Sequence, residues 1–359
     1  MAVHFHPLRI REIIKETNDC VSVTFEVPEA LAPVFQYREG QNITVKKTIG
    51  GEEVRRSYSI CAAPHEKVLK VAIKKVEGGL FSQFANDELK KGDMLEILPP
   101  TGKFNAHPGK KETASYLAIA AGSGITPVIS IIKHTLQTQE NSEFTLLYGN
   151  RNRNSIIFFE ELEALKNKYI RRFNFINILS REKTDADIFY GRINEQKLQS
   201  LQKLVPYKSF DAVYICGPEE LIFSSSDFLQ QQGVEKNKIH FELFTTPGQH
   251  APAKETNKNT GTDQGPKSNI SIKLDGRSVA FDLSYKGQSI LDAALQQGAD
   301  LPYACKGGVC CSCRAKLIEG QVRMDVNYAL EPEEVEAGFI LTCQSHPTTE
   351  KVVIDFDVK

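Results

Sequence analysis

Cys305, Cys310 and Cys313 stand in a C-x4-C-x2-C order, and Cys343 follows at a distance. That is the thiolate spacing that holds a plant-type [2Fe–2S] cluster. Four thiolates must converge on two irons, so a short loop wraps the cluster and one remote strand closes it. Gly307 and Gly308 lie inside that loop, where backbone must pass close to the cluster and turn N–H groups toward sulfur. Glycine permits both the approach and the dihedrals. Zinc sites usually pair two C-x2-C knuckles, and only one such pair is present. A disulfide framework belongs to an oxidising compartment, yet Met1-Ala2-Val3-His4 opens no apolar signal run, which favours a cytoplasmic location. Using Cys311 as a ligand would change the spacing to C-x5-C-x-C, so it reads as a small non-ligand residue. A built-in one-electron carrier is expected.

Three further motifs could handle a flavin and a nucleotide. Arg56-Ser57-Tyr58-Ser59 closes a β-rich stretch and offers a charge for a diphosphate, an aromatic wall and a hydroxyl donor. Tyr58 could equally be an ordinary barrel residue with its hydroxyl satisfied. Gly78-Gly79-Leu80-Phe81-Ser82 precedes a helix-like run, Gln83–Leu89. Glycines before a helix start can cradle a diphosphate on free N–H groups, or simply form a turn. Ala120-Ala121-Gly122-Ser123-Gly124-Ile125-Thr126-Pro127 follows a buried apolar strand and opens a helix, the context in which a dinucleotide phosphate sits. It is not the G-x-G-x-x-G fingerprint. Pro127 suits a first helical turn. Leu179-Ser180-Arg181-Glu182 ends the third apolar strand, with Tyr190-Gly191-Arg192 close behind. An acid at that strand end reads the ribose of NAD, whereas arginine suits a 2′-phosphate. NADPH is therefore expected ahead of NADH, with Ser180, Arg181 and Arg192 as contacts, against the alternative of solvated surface arginines.

The elements that must position these motifs fall into three blocks. A chain of 359 residues exceeds one ordinary core. Residues 1–108 alternate in short runs such as Ser22–Val27, Asn42–Val45 and Leu69–Ile73, the texture of an antiparallel β-barrel. Residues 109–247 alternate apolar strands (Tyr116–Ala121, Phe144–Tyr148, Phe173–Leu179, Ala212–Cys216) with helices (Pro127–Thr138, Phe158–Lys168, Glu219–Gln231). That pattern gives βαβ units on a parallel sheet, a doubly wound α/β domain. From Thr245 to Ser268 there is no Val, Ile, Leu or Phe, so residues 248–267 read as a flexible linker on which the cluster domain could swing. Residues 268–359 form the cluster domain, with nine Lys and Arg against thirteen Asp and Glu. The net charge of −1 gives no sign of a nucleic-acid binder, and the apolar run Tyr116–Ile132 is too short and glycine-interrupted to span a membrane.

Taken in order, R-x-Y-S, G-G-x-x-S and G-x-G-x-T-P resemble the ferredoxin–NADP⁺ reductase family over residues 1–247, and the C-terminal block resembles plant-type ferredoxin, an α+β β-grasp fold. The resemblance implies that Arg56, Tyr58 and Ser59 hold FAD, that Ala72, Ile73 and Lys74 lie along it, and that Gly79, Leu80, Phe81 and Ser82 bind its diphosphate. It places Gly122, Gly124 and Thr126 by the nucleotide and the flavin's reactive edge, and Cys216-Gly217 beside the nicotinamide. Glu242 and Phe244 would stand over the flavin's far face, unless Phe241–Phe244 is only an edge strand. Cys216 reads as a buried structural thiol. Ser59, Thr126 and Glu242 are the expected catalytic set. NADPH gives two electrons together and a [2Fe–2S] cluster takes one, so a flavin must stand between them. Chains of this order resemble the reductase components of bacterial oxygenases, nearest those serving a di-iron oxygenase that epoxidises an aromatic ring. The chain has no E-x-x-H pairs of its own. A fatty-acid desaturase, a ring-hydroxylating dioxygenase or a P450 are alternative acceptors, and a non-turnover redox sensor is the alternative class.

Overall fold

A computed structural model describes residues 4–105, 113–244 and 265–358. The chain divides into two compact units: Pro7–Val54 with Tyr58–Phe244, and the remainder. The expected boundary at 108/109 and residues 248–264 of the expected linker lie outside the described residues.

The first unit begins with a six-stranded sheet. Its strands are β1 (His6–Thr17), β2 (Cys20–Glu26), β3 (Asn42–Ile49), β4 (Glu52–Ser59), β5 (Leu69–Lys74) and β6 (Met94–Thr101), in the spatial order β4-β3-β6-β1-β2-β5. The antiparallel pairs β1–β2, β2–β5 and β3–β6 put Val23, Ile43, Val45, Val71 and Ile97 into one core. Ile60, just past β4, bridges Val71 on β5, so the two sheet edges meet and the sheet curls into the expected barrel. Helix α1 (Leu80–Asp87) covers one end with Phe81 and Ala85 buried. It starts three residues earlier than the sequence pattern suggested, because Gly79 serves as its N-cap.

The same unit continues into a five-stranded sheet of β7 (Ser115–Ala121), β8 (Glu143–Asn150), β9 (Phe173–Leu179), β10 (Ala212–Cys216) and β11 (Ile239–Glu242), in the order β11-β10-β7-β8-β9. Every pair is parallel. Buried on both faces, these strands read as continuous apolar runs. The connecting helices are α2 (Ile125–Thr138), α3 (Phe159–Lys168), α4 (Glu195–Leu201) and α5 (Glu219–Gln231). The chain leaves β7 toward β8 on one side and returns through β10 on the other. The crevice between β7 and β10 is thus the topological switch point where ligands of open α/β sheets bind. The barrel and this sheet are joined directly: the buried Ser130 hydroxyl of α2 donates to the Ala62 carbonyl at 2.7 Å.

In the second unit β12 (Lys267–Leu274), β13 (Arg277–Ser284), β14 (Arg314–Glu319), β16 (Phe339–Leu341) and β18 (Lys351–Asp355) form a mixed sheet, ordered β13-β12-β18-β14-β16. Helix α6 (Ile290–Gln296), with Ile290, Leu291 and Ala294 buried, packs into its core. Short β15 (Val322–Met324) pairs with β17 (Ser345–Pro347), and α7 (Pro332–Glu336) precedes β16. This is the expected β-grasp arrangement.

Candidate functional site

At the switch point, space is set by backbone. Gly124 has an ordinary helical φ of −60°, yet a Cβ there would stand 2.0 Å from the Cys216 carbonyl oxygen. The glycine is required for close approach alone, and it lets the turn after β7 rest on the end of β10. Gly122 adopts a φ of +53°, which only glycine takes at little cost. A Cβ there would face the Lys74 Nζ at 3.7 Å, so β5 of the barrel reaches the nucleotide turn. Thr126 is buried and donates its hydroxyl to the Ser123 carbonyl at 3.0 Å, bracing the turn. Pro127 is the third residue of α2, still among the positions whose N–H has no helical partner. Cys216 is fully buried, and burial and the nearby Glu242 carboxyl push its thiol well above the usual range. It is a packing group, as the sequence suggested.

Glu242 ends β11, and its carboxylate accepts the Ser59 hydroxyl at 3.0 Å. The residue keeps some exposed surface, but its carboxyl group lies among packed atoms. Burial pushes it up to about 7, and hydrogen bonds from Ser59 and Asn42 pull the other way. Two members of the expected catalytic set therefore touch across the junction of barrel and α/β sheet. Asn42, on the strand next to β4, is the member that sequence reasoning missed. Nothing local in N-I-T-V marks it.

Along the barrel, Tyr58 is half-buried with its ring 5.7 Å from that of Phe81. Arg56 is exposed, while Ala72 and Ile73 are buried on β5. No side chain caps the start of α1, so the N–H groups after Gly79 suit an anion. The Ser82 hydroxyl accepts the Val76 N–H at 3.1 Å and donates to the Gly79 carbonyl at 3.2 Å, closing the glycine loop on itself. The cradle fits a diphosphate. Phe244, past β11, is exposed. At the far edge of the sheet Ser180 is half-buried and Arg181 and Arg192 are exposed. The bridge between Leu179 and Tyr190 brings the second segment back to the first.

In the second unit the loop from α6 to β14 carries Cys305, Cys310 and Cys313, and Cys343 follows β16. The Cys310 thiol donates to the Cys305 sulfur at 3.2 Å, and the Gly307 N–H donates to the same sulfur at 3.3 Å. Hydrogen bonds from Cys310 and Cys343 hold the Cys305 thiol far below its usual range. Conversely, Cys310 and Cys343 are raised by sharing their protons with Cys305. A hydrogen-bonded group of thiols, with a backbone N–H turned onto the Cys305 sulfur, fits a [2Fe–2S] cluster. Gly308 has a φ of +73°, and a Cβ there would stand 2.9 Å from the Val326 side chain, so this turn is packed against the 326 segment. Cys311 donates instead to the Ala329 carbonyl at 3.2 Å.

A barrel, a doubly wound sheet and a β-grasp domain with these sites define a flavin- and nucleotide-dependent iron–sulfur oxidoreductase. Residues 7–106 match the oxidoreductase FAD-binding domain, 118–227 the oxidoreductase NAD-binding domain, and 272–348 the 2Fe-2S iron-sulfur cluster binding domain. One component of 1,2-phenylacetyl-CoA epoxidase from Escherichia coli (strain K12) is 44% identical over 99% of this chain and 98% of its own. The ferredoxin reductase component of 3-ketosteroid-9-alpha-monooxygenase from Rhodococcus rhodochrous is 33% identical over 97% of this chain and 96% of its own. Phthalate dioxygenase reductase, a modular structure for electron transfer from pyridine nucleotides to [2Fe-2S], shares the fold at a TM-score of 0.58, with 24% identity over 98% of both chains. The chain belongs to the ferredoxin–NADP⁺ reductase-type flavoproteins that carry a C-terminal [2Fe–2S] domain and include the oxygenase reductase components. Among the described residues no helix is long and apolar enough to cross a membrane.

Proposed function

We propose that this chain is the cytoplasmic reductase of an aromatic-ring epoxidase and delivers electrons from NADPH to a di-iron oxygenase acting on phenylacetyl-CoA. The contact of Ser59 with Glu242 at the switch point carries the reductase chemistry, because it brings the flavin and nicotinamide halves to one place. The 44% identity to the epoxidase component supports the acceptor. In this reading the barrel ends by 108, the nucleotide domain spans 109–247, and a linker from 248 leads to the cluster domain, which begins with β12 at Lys267 rather than at 268.

When bound, FAD takes up the two electrons of a hydride and the [2Fe–2S] cluster releases them singly. The chain's residues do the rest. Tyr58, Ala72, Ile73 and Lys74 would hold the flavin, and Arg56 with the N–H groups of Gly79 to Ser82 would neutralise its diphosphate. Ser59 orients the Glu242 carboxyl, which holds a proton close to neutral pH beside the reacting atoms. Gly122, Gly124 and Thr126 would seat the nicotinamide nucleotide, Cys216 and Gly217 would border it, and Phe244 would serve the flavin's other side. Ser180, Arg181 and Arg192 take the 2′-phosphate. Cys305, Cys310, Cys313 and Cys343 hold the cluster.

An anaerobic titration with NADPH and NADH, following flavin and cluster absorbance, tests the wire. Turnover of phenylacetyl-CoA with the purified oxygenase component tests the acceptor. Reduction of both centres by NADPH and NADPH-dependent consumption of phenylacetyl-CoA support the reading. A flavin-free protein, or one whose electrons pass to 3-ketosteroid or P450 oxygenases alone, overturns it.

A further inference from the structure

One turn of α2 carries the junction between the barrel and the parallel sheet. Ser130 donates to the Ala62 carbonyl. Ile131 closes on Gly40, where a Cβ would stand 3.3 Å from the Ile131 Cδ1. Lys133 reaches furthest. Its side chain is buried, and its ammonium lies 2.8 Å from the Glu66 carboxylate and 2.9 Å from that of Glu161. Glu66 ends the tight turn Pro64–Glu66 of the barrel and also accepts the Ala63 N–H. Glu161 stands in the first turn of α3, within the α/β layer. Burial pulls the Lys133 ammonium down, but Glu161 and then Glu66 more than offset it, and it lies above its usual range.

The two bonds of Lys133 differ in what they join. The bond to Glu161 ties α2 to a neighbour in its own layer. The bond to Glu66 crosses to residues 60–68, the segment that runs from Ser59 to β5. With FAD and the nucleotide seated as proposed, both ends of that segment touch the flavin, and α2 starts at the turn that seats the nucleotide. Thr126 and Lys133 lie about 10 Å apart along one helix, so a movement at Lys133 is carried to that turn. Hydride transfer is steeply sensitive to such movement, since a misplacement of about 1 Å can cost about 100-fold in rate. A buried ammonium is costly to leave unpaired, which keeps the lysine on its carboxylates.

We propose that Lys133 is a positioning residue for hydride transfer: its bond to Glu66 fixes the flavin-bearing barrel against the nucleotide turn at the start of α2. The proposal rests on the reductase reading, holds for NADPH and NADH alike, and is independent of the oxygenase that takes the electrons. The side chains of Glu66 and Glu161 are 32% and 34% exposed. They face a cleft of about 250 Å³ lined by His65, Gln137 and Tyr169, so water can replace the ammonium in a Lys133→Met variant.

The test compares Lys133→Met, Glu66→Gln and Glu161→Gln with the wild-type holoenzyme. Readouts are the rate of flavin reduction at saturating nucleotide, nucleotide affinity by calorimetry and the nicotinamide–flavin charge-transfer absorbance. Amide exchange over residues 60–68 and urea unfolding complete the set. Lys133→Met should slow flavin reduction about tenfold or more, the effect of a shift of some tenths of an ångström. It should weaken the charge-transfer band and speed amide exchange over 60–68, while nucleotide affinity stays within about twofold. Glu66→Gln should show the same pattern at about threefold or more, because a neutral amide still accepts from the ammonium but less strongly. Glu161→Gln should lower stability in urea yet leave the rate, the band and the exchange as in wild type. Equal slowing by the two glutamate variants, lost stability with an unchanged reduction rate, or a matched loss of nucleotide affinity overturns the proposal. Should Lys133→Met fail to fold, the two glutamate variants decide. A wild-type holoenzyme whose flavin neither nucleotide reduces sinks the reductase reading itself.

Discussion

Asn42, Ser59, Gly124, Cys216 and Glu242 meet at the switch point from five separate stretches of chain, whereas three of the four cluster thiols lie within the nine residues 305–313. The two regions also handle charge differently. At the switch point one carboxyl is pushed toward neutrality by burial and keeps its proton to about 7. In the cysteine loop hydrogen bonds draw negative charge onto Cys305, with Cys310 and Cys343 holding the protons. A site that places one thiolate among hydrogen-bonded thiols suits cationic iron. One that holds a single proton among packed atoms is prepared for chemistry at a neutral ring. The first depends on local composition, and the second on how distant strands are packed.

Breaking the cysteine loop should have the largest effect and the most confined one. Cys310→Ser should abolish cluster absorbance and electron delivery to an oxygenase, while flavin reduction by NADPH stays within about twofold, as expected for independent sites. Stopped-flow traces of the two absorbance bands check this. Loss of flavin reduction as well would mean the regions are not separable.

Gly124→Ala tests the opposite plan. With the colliding atom a carbonyl oxygen at 2.0 Å, overpacking should cost about 3 kcal/mol or more. It should also lower the rate of flavin reduction, because the turn after β7 must shift. Urea unfolding and NADPH kinetics measure both.

Glu242→Gln sharpens the charge contrast. The carboxyl sits near 4.5 in an unfolded chain and about 7 here, so the fold prefers its neutral form. That stability is present below pH 4.5 and is lost as pH rises through 7, about 3 kcal/mol. The amide variant should lack this loss, and its stability relative to wild type should improve between pH 4.5 and 8 in unfolding curves. Ser59→Ala should have the smallest effect, about 1 kcal/mol. The Ser59 hydrogen bond favours the carboxylate, so its removal should move the same pH midpoint upward. A downward move would mean that Ser59 favours the protonated acid.

Much of this molecule is written locally. The apolar runs at 173–179 and 212–216 and the helix at 219–231 coincide with β9, β10 and α5, because strands buried on both faces and an amphipathic helix leave plain patterns. The four thiols and the glycine turn after β7 are equally plain, since a cluster loop and a phosphate turn demand particular residues at fixed spacings. Helix α4 went unread, although Asn194 caps it through the Lys197 N–H; its seven residues are too few to show a period. What the sequence could not state is who faces whom. Ser59 and Glu242 are 183 positions apart, and Glu182 meets Arg153 only because β8 and β9 are neighbours. The sequence set Glu182 behind Ser180 and Arg181 at the strand end; the fold turns its carboxylate onto the Arg153 N–H. Local physics chooses the elements and their motifs. Sheet order chooses their partners, and it is set by burial summed over the whole unit, which no short stretch encodes.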